Sequence, residues 1–196
     1  MMGRPKNISD EEVLEGALNV VIEKGPHRFT LPEVSRAVGV APATLIQRFG
    51  SKATLLDLVI DHSTRRLEES RINLGEKGGD PREALVEWLV SVAAGFGSRE
   101  RIAGNLALLM EDISDDDRRK RAKKHLSVIN SGIAAFLKRG GFSNPSAAAL
   151  MIEAHWHGLI IQWAIHGRGS LASWLRKGLR QLLDMLEARD LRRADH

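Results

Sequence analysis

The apolar and polar positions of this chain recur with the period of an α-helix over most of its length. In the first segment the apolar side chains lie three and four positions apart, at Val13, Leu14, Ala17, Leu18, Val21 and Ile22. The same spacing returns in later segments, and no segment reads convincingly as a strand. We therefore predict an all-α fold of about nine helices. The expected ranges are approximately 9–24, 30–38, 42–49, 51–74, 81–97, 99–111, 115–139, 144–166 and 170–188.

Residues that cap helices mark where several of these segments begin. Ser9 is followed three positions later by Glu12, and Thr30 is followed by Glu33, which is the spacing of a capping box. Ser114 is expected to cap a later helix, with three aspartates in a first turn where negative charge is favourable. The predicted boundaries therefore rest on local chemistry as well as on periodicity.

The stretch from Phe29 to Leu56 predicts a helix-turn-helix. A short helix ends at Gly39, and a second helix from Pro42 to Phe49 follows the turn. In this second helix Leu45 and Phe49 lie four positions apart and are expected to face inward. A helix-turn-helix places its second helix in the major groove of DNA. The side chains left available to DNA are Pro42, Ala43, Thr44, Gln47 and Arg48.

The balance of charge changes the picture locally. The whole chain has a net charge of +4, which is compatible with nucleic acid but does not establish it. Between residues 28 and 52, four bases stand against one acid, Glu33. Lys52 lies at the expected start of a helix, where a cation is unfavourable unless an anion such as a phosphate is near. The alternative is a plain solvated lysine, and for Arg36 a surface salt bridge explains the residue as well as a DNA contact does.

The N-terminal segment 3–6 has the composition of a flexible basic arm. Its two bases are Arg4 and Lys6, which flank a glycine and a proline. Arms of this kind enter the minor groove of DNA or lie along its phosphates. A terminus without any binding role is an equally good interpretation of the same residues.

Composition excludes several classes of protein and site. Cysteine is absent, which excludes disulfides and thiolate metal sites, and the histidines show no dense metal spacing. No apolar run reaches the roughly 20 residues of a membrane span, and the N-terminus has no apolar signal segment. We expect a soluble cytoplasmic protein with no membrane partner, no metal and no cofactor. An enzyme is disfavoured, because we find no phosphate loop, nucleophile–base pair or clustered carboxylates in an apolar setting.

The first third of the chain resembles one known family, the TetR-type transcriptional regulators. The resemblance is best in residues 9–58. The matching positions are Thr30, Val34-Ser35, Ala37-Val38-Gly39-Val40, Leu45-Ile46, Phe49, Ser51-Lys52 and Leu55-Leu56. The remainder of the chain resembles the family only in the number and order of its helices.

This resemblance implies a division into two parts. Residues 1–52 would form a three-helix DNA-binding head, and residues 53–196 a larger helical body for ligand binding and dimerisation. Helix N-termini of the head would hold phosphates, and the second helix of the motif would read base edges. Together with the basic arm, the implied DNA contacts are Arg4, Lys6, Thr30, Pro42, Ala43, Thr44, Gln47, Arg48 and Lys52. For Thr44 a role in helix packing alone remains open.

Two positions depart from the family pattern. Ile46 stands where the family commonly has a tyrosine whose hydroxyl touches a phosphate, and this chain has no tyrosine. Ala41 replaces the frequent serine that caps the same helix, although Pro42 pre-sets the first turn. These departures change the expected contacts with DNA rather than the expected fold.

A recognition helix of eight residues reads only a few base pairs, so we expect a symmetric homodimer on palindromic DNA. Small residues of the helix 144–166 and leucines of the last helix would form a four-helix dimer interface, which is similar to the family's arrangement. The expected interface residues are Ala154, Gly158, Ile161, Trp174, Leu175, Gly178, Leu179, Leu182 and Leu186. The alternative is that these residues form core within one chain.

A ligand pocket is expected between four of the body helices, 81–97, 99–111, 115–139 and 144–166. The candidate lining residues are Trp88, Val92, Phe96, Leu106, Met110, Ile129, Ile133, Phe136, Met151, His155, Leu159 and Trp163. His155 is the best polar candidate, because a histidine in an apolar helix needs a partner. The alternatives are a structural or interface histidine, and plain core for most of the other residues.

These expectations describe a DNA-binding transcriptional regulator, most simply a repressor that binds a palindromic operator as a homodimer. A small apolar or amphipathic effector would bind the body in a geometry whose two heads no longer fit successive major grooves. The helix 51–74 links head and body and would be the lever. The alternative is a DNA-binding regulator without a small-molecule ligand, either controlled by a protein partner or constitutive.

Overall fold

A computed structural model shows an all-α protein and describes residues 8–25, 29–76 and 79–194. Within these ranges there are nine α-helices and no strand, which confirms the predicted fold class. The helices are α1 (Asp10–Lys24), α2 (Leu31–Val38), α3 (Pro42–Phe49), α4 (Lys52–Glu76), α5 (Pro81–Val92), α6 (Arg99–Ser114), α7 (Asp116–Arg139), α8 (Pro145–His166) and α9 (Leu171–Ala194). A short 3-10 helix, Ala93–Phe96, follows α5 in place of the predicted last turn of that helix.

The predicted capping residues fix the starts of α1 and α2. The Ser9 side chain accepts a hydrogen bond from the Glu12 N–H, and the Glu12 carboxylate accepts one from the Ser9 N–H at 2.8 Å, which completes the capping box. At α2 the Thr30 hydroxyl accepts from the Glu33 N–H at 3.4 Å. The Glu33 carboxylate is paired instead with Lys24 of α1 and Arg36 of α2.

The start of α7 differs from the prediction. Asp115 caps this helix, because its side chain accepts from the Asp117 N–H at 3.1 Å and from the Arg118 N–H at 2.8 Å. Ser114 is the last residue of α6, and its hydroxyl donates to the Met110 carbonyl. The prediction that Ser114 caps α7 was therefore wrong by one residue, since two good capping residues are adjacent and the carboxylate prevails.

A first core cluster holds α1, α2, α3 and the beginning of α4 together. Its members are Val13, Leu14, Ala17, Val20, Val21, Phe29, Val34, Val40, Leu45, Phe49, Leu55, Leu56 and Val59. Leu55 and Val59 are fully buried and belong to α4. Side-chain packing therefore divides after Val59, two turns into α4, whereas the sequence-based division lies at residue 52. We call residues 8–59 the head and the rest the body.

A second core cluster lies in the body, where α5, α7, α8 and α9 pack against one another. Trp88 of α5 is at its centre: the ring is fully buried, lies 5.8 Å from that of Phe136, and its N–H donates to the Ser70 hydroxyl at 3.0 Å. A Cβ at position 132 of α7 would lie 2.4 Å from the Trp88 ring, so Gly132 is needed for this contact. Burial of a large apolar side chain of this kind contributes about 1.5–3 kcal/mol.

Head and body meet at two junctions. At the first, α6 crosses α1 so closely that a Cβ at Gly104 would lie 2.7 Å from the Ile22 carbonyl oxygen. At the second, Arg121 of α7 forms an ion pair at 2.7 Å with Asp57, which lies in the head part of α4. Farther along α4, within the body, the Thr64 hydroxyl is 2.9 Å from His125 Nδ1. The two junctions therefore consist of close backbone or polar contacts.

The outer side of α8 is apolar and exposed. Leu150 and Ile165 are 66% and 68% exposed, and Met151, Ala154 and Ile161 lie on the same side. We call these five residues the α8 outer stripe. No helix in the described part of the chain is long and apolar enough to cross a membrane.

Candidate nucleic-acid interface and body cavity

The turn between α2 and α3 fixes the orientation of the second helix. Gly39 ends α2 in the left-handed conformation, with φ 72°, and its N–H donates to the Ser35 carbonyl. Val40 then enters the head core, and Leu45 and Phe49 of α3 are buried beside it. Because these inward contacts anchor one side of α3, its other side faces away from the head.

The outward face of α3 presents small, apolar and amide side chains. Pro42, Ala43 and Gln47 are exposed, and Thr44 is half-buried. Ile46 stands on the same face and is 44% exposed. An amide can read adenine bidentately, and apolar groups can contact the methyl group of thymine. The chemistry of this face therefore suits base edges in a major groove, with few donors for phosphates.

Two bases of the head are held by acids of the head. Arg48 Nε donates to Asp10 Oδ1 at 2.8 Å, and the guanidinium also lies 5.4 Å from the centre of the Phe49 ring. The Arg48 side chain is therefore only 25% exposed, whereas the sequence predicted that it faces DNA. Arg36 is paired with Glu33 at 2.9 Å, which is the surface salt bridge that was one of its two interpretations.

The expected phosphate contacts lie at two helix starts. Thr30 is exposed, and its hydroxyl already caps α2. Lys52 is exposed in the first turn of α4, next to Ser51, whose hydroxyl accepts from a backbone N–H at 3.1 Å. Arg4 and Lys6 of the expected basic arm lie outside the described residues.

A cavity of about 410 Å³ lies where the body meets the head. Its walls come from α1, α4, the end of α5, the 3-10 helix, α6, α7 and α8, and they are mostly apolar. The apolar side chains used below are Phe96, Ile102, Leu106, Ile129 and Ile160. The cavity reaches the α8 outer stripe, because Leu150, Ala154 and Ile161 belong to both. A volume of this size suits a small organic molecule.

Two carboxylates stand in this apolar wall. Asp112 of α6 and Glu153 of α8 are each 8% exposed. Glu153 accepts a hydrogen bond from Asn130 Nδ2 at 2.8 Å. Asp112 Oδ1 is buried and has no hydrogen-bond partner among the described residues. Burial raises the pKa of the Asp112 carboxyl, against the opposing pull of Arg118 and Arg121.

Two histidines of the wall are neutral at physiological pH. Burial lowers the pKa of His125 to about 4, and His125 Nδ1 lies 2.9 Å from the Thr64 hydroxyl. Burial also lowers the pKa of His157, against the charge of Glu153. Among the described residues no three His, Asp or Glu side chains are placed to hold a metal ion. The cavity thus contains acids and neutral imidazoles.

The head, with its turn at Gly39 and its outward helix, matches a described family. The family model for bacterial regulatory proteins of the tetR family matches residues 13–59. Residues 13–59 therefore form a head of the TetR type. The matched residues run from α1 into α4, so they coincide with the head as its core defines it, and the resemblance stated from the sequence is confirmed.

Curated relatives extend this similarity to part of the body. The chain is 32% identical over 82 residues to an uncharacterized HTH-type transcriptional regulator of Mycobacterium bovis, in a match that covers 41% of each chain. It is 28% identical over 127 residues to the HTH-type transcriptional regulator BetI of Rhizobium meliloti, covering 64% of this chain and 63% of BetI. The chain thus spans about two fifths of the length of the first of these relatives.

Solved structures of TetR-type and other regulators share the whole fold. A transcriptional regulator from Saccharomonospora viridis, solved in complex with choline, aligns with a TM-score of 0.71 and covers 88% of this chain and 94% of its own. The two sequences are 20% identical, so this likeness shows the fold.

The cavity of the body includes four of the expected pocket residues, Val92, Phe96, Leu106 and Ile129. The other eight expected residues are not on its wall, and they are Trp88, Met110, Ile133, Phe136, Met151, His155, Leu159 and Trp163. Trp88, Ile133 and Phe136 are buried in the body core. Met110 and Met151 are 64% and 49% exposed.

The histidine chosen from the sequence is on the wrong side of α8. His155 is exposed, while His157 lines the cavity. The two residues are two positions apart on a helix and therefore point in different directions. Because α8 is apolar on both sides, its sequence does not show which side faces inward.

The polar residues that sequence reasoning missed are Asp112, Glu153, His125, Asn105 and His157. Glu153 and His157 carried a usable signal, since they lie four positions apart within the most apolar stretch of the chain. Asp112 carried none, because it follows another acid near the end of a helix and looks like a solvated surface charge.

The expected dimer interface is divided between two environments. Leu175 and Leu179 are fully buried in the body core, so they are corrected to intrachain core, the alternative interpretation. A Cβ at Gly178 would lie 2.6 Å from Leu159, so this glycine allows α9 to pack on α8. Trp174, Leu182 and Leu186 are half-buried against the same core.

The α8 part of the expected interface remains open. Ala154 and Ile161 lie in the α8 outer stripe, and Gly158 between them has open space around it. Ile161 is 38% exposed. Among the expected interface residues, these three are the ones that the structure leaves accessible to another helix.

Proposed function

We propose that this chain is a transcriptional repressor that binds a palindromic operator as a homodimer and leaves it when a small amphipathic molecule occupies the body cavity. The observation that carries this proposal is the position of the cavity. Val21 of α1 and Val59 of α4 belong both to the head core and to the cavity wall. A molecule in the cavity would therefore touch the residues that support the DNA-binding helix.

The head supplies the contact with DNA in this proposal. The outward face of α3 would lie in the major groove, with Gln47 on a base edge and Ile46 against a thymine methyl group. Lys52, exposed at the start of α4, would meet a phosphate. Arg48 would reach DNA only by leaving Asp10, so the ion pair opposes its contribution.

The exposed α8 outer stripe supports dimerisation. Large apolar side chains such as Leu150 and Ile165 stand on it at helical spacing, and contiguous apolar surface on a soluble chain marks an interaction site. A second copy that packs its own stripe there makes a two-fold symmetric contact. Two heads held by one body pair would read two half-sites of a palindrome.

Ligand binding is supported by the cavity and by a structural neighbour. The Saccharomonospora viridis regulator with the same fold was solved in complex with choline. In this chain the cavity is lined by apolar side chains such as Phe96 and Ile129 and by the buried carboxylates Asp112 and Glu153. An amphipathic molecule satisfies both kinds of surface.

The ligand would act by shifting a population of conformations. His125 lies on the cavity wall and bonds to Thr64 of α4, and α6 carries both Asp112 and the close contact of Gly104 with α1. A ligand that binds better when α6 or α7 is displaced favours heads with altered spacing. Operator affinity then falls by the same factor by which DNA weakens the ligand.

The test selects bound sequences from random DNA and then titrates the selected operator. We expect a palindrome. Lys52→Ala should weaken binding across all sequences and lower the salt slope by about one per contacted phosphate, and Gln47→Ala should relax one base preference by about 1–3 kcal/mol. Lys123→Ala, which removes an exposed lysine of the body, is the matched control and should change neither property.

Two outcomes would contradict parts of the proposal. Unchanged DNA binding by Lys52→Ala and Gln47→Ala together would show that α3 and the start of α4 are not the DNA interface. Normal operator binding that no cavity ligand changes would favour the alternative, a regulator that is constitutive or controlled by a protein partner.

A further inference from the structure

The charges on the cavity wall are of one sign. Among the described residues that line it, the ionisable groups are Asp112, Glu153, His125 and His157, and there is no lysine or arginine. Burial lowers the pKa of both imidazoles, so both are neutral near pH 7. The wall therefore carries carboxylates without a cation of its own.

The two arginines whose charges act on Asp112 are hydrogen-bonded or paired with other carboxylates. Arg118 donates to Glu111, and its Nε is 3.9 Å from Asp112 Oδ1, which is beyond hydrogen-bonding distance. Arg121 forms an ion pair with Asp57 at 2.7 Å. Asp112 thus has a long ion pair with Arg118 and no closer one among the described residues.

Asp112 is also short of a donor. It is 8% exposed, and its Oδ1 has no hydrogen-bond partner among the described residues. A buried carboxylate oxygen without a donor is costly, and burial raises the pKa of this carboxyl for that reason. A positively charged donor in the cavity would supply the missing hydrogen bond and would also offset the cost of burying the negative charge.

Glu153 faces the same space with a neutral partner. It is 8% exposed and accepts from the Asn130 amide at 2.8 Å, which satisfies one lone pair but none of its charge. Beside it, Trp156 is 2% exposed, lines the cavity, and has an indole N–H without an acceptor among the described residues. An indole ring also attracts cations to its face.

We infer that the body cavity is a site for an amphipathic organic cation, with its ammonium or similar head on Asp112 and Glu153 and its apolar part against Phe96, Ile129 and Ile160. This inference rests on the proposed function and names the chemical class of its effector. The volume of about 410 Å³ fits a compact molecule with one charged end. Anions are disfavoured because they would face two carboxylates.

The experiment uses three probes of matched shape and the full chain. They are 4-phenylbutylamine, which is a cation at neutral pH, 4-phenylbutanol, which is neutral, and 4-phenylbutyrate, which is an anion. Titration calorimetry should show the amine binding about ten-fold or more tighter than the alcohol, because a charge-assisted hydrogen bond is stronger than a neutral one. The anion should bind more weakly than the alcohol.

Variants assign the effect to the wall. Asp112→Asn and Glu153→Gln keep the shape of each side chain and remove its charge. Each should lower the affinity for the amine about ten-fold and leave that for the alcohol within about two-fold. Glu69→Gln, which neutralises an exposed carboxylate of α4, is the control and should leave both affinities unchanged.

The inference is overturned if the alcohol or the anion binds as tightly as the amine, if both variants keep the preference for the amine, or if none of the probes binds at about 5 mM. Operator titration in parallel separates this inference from the proposed function. If the amine binds but does not alter operator affinity, ligand-controlled release is contradicted and the cation site is retained. If only the alcohol or the anion releases the operator, ligand-controlled release is retained and the cation site is contradicted.

Discussion

The surface carboxylates of the head and the two buried carboxylates of the body cavity have different surroundings. In the head they lie at the surface and face bases: Asp10 holds Arg48, and the hydrogen bonds from Lys24 and Arg36 keep the pKa of Glu33 below its usual value. In the body, Asp112 and Glu153 are each 8% exposed, and the described wall of the cavity beside them has no lysine or arginine. Ion pairs at the surface contribute little to stability, whereas buried carboxylates without a cation cost much.

The head therefore presents side chains at its surface, whereas the body has a cavity whose buried carboxylates could bind a partner. In the head, Arg48 and Arg36 are already paired with acids in the absence of DNA. In the body, Asp112 and Glu153 face a cavity that can admit a molecule. The two regions are joined at Gly104 and at the ion pair between Asp57 and Arg121.

The largest expected effect comes from disrupting the close crossing of α6 and α1 at Gly104. In Gly104→Ala the new Cβ would lie 2.7 Å from the Ile22 carbonyl oxygen, so α6 must move away from α1. We expect a loss of about 2–3 kcal/mol in the free energy of unfolding, together with altered operator affinity even without ligand. Urea denaturation and operator titration measure the two effects.

Gly95→Ala is the matched control for this substitution. A Cβ there would lie 3.7 Å from Ile22, which is an ordinary contact. Stability and operator affinity should both stay near those of the parent protein. If Gly104→Ala behaves like Gly95→Ala, the close crossing of α6 and α1 does not couple the regions.

The second largest expected effect is a dependence of the free energy of unfolding on pH, which originates in the body. Burial lowers the pKa of His125 to about 4, below its ordinary value of 6.5. Between these values the unfolded chain binds more protons than the folded one, so stability falls as pH falls. By about pH 5 the loss should reach about 2 kcal/mol relative to neutral pH.

Tryptophan fluorescence during urea unfolding measures this loss in the body, because residues 88, 156, 163 and 174 all lie there. His125→Gln should flatten the dependence between neutral pH and about pH 5. An equally steep dependence in His125→Gln would assign it to other groups.

The smallest effect concerns the surface pairs of the head. Asp10→Asn removes the partner of Arg48, whose side chain is 25% exposed. Stability should change by less than about 1 kcal/mol, because exposed ion pairs contribute little. Operator affinity should rise a few-fold, since Arg48 becomes free to reach DNA; a fall in affinity would show that Asp10 orients Arg48 for binding instead.

The helices and the head were predictable because their signals are local. Ser9, Gly39 and the inward pair Leu45 and Phe49 each act within one turn of their own position, and the structure places all of them as expected. The shift of the α7 cap to Asp115 is the kind of error that local rules allow, since neighbouring residues compete for one position.

The cavity was predictable only in outline because its polar wall depends on tertiary packing. In α8, His155 and His157 stand in equally apolar surroundings along the chain, and only the position of α6 and α7 decides that His157 faces the cavity. Asp112 has an ordinary surface sequence context and is buried by α7 and α8. Leu175 and Leu179 were assigned to a partner for the same reason, since their leucine pattern fits an intrachain core equally well.

In the proposed mechanism, occupation of the cavity lowers the affinity of the head for DNA. The most direct measurement is the affinity of 4-phenylbutylamine for the free protein and for the protein saturated with its selected operator, by titration calorimetry. We expect the amine to bind more weakly to the operator complex, by the same factor by which the amine lowers operator affinity. Equal affinity for the free and the DNA-bound protein would contradict it.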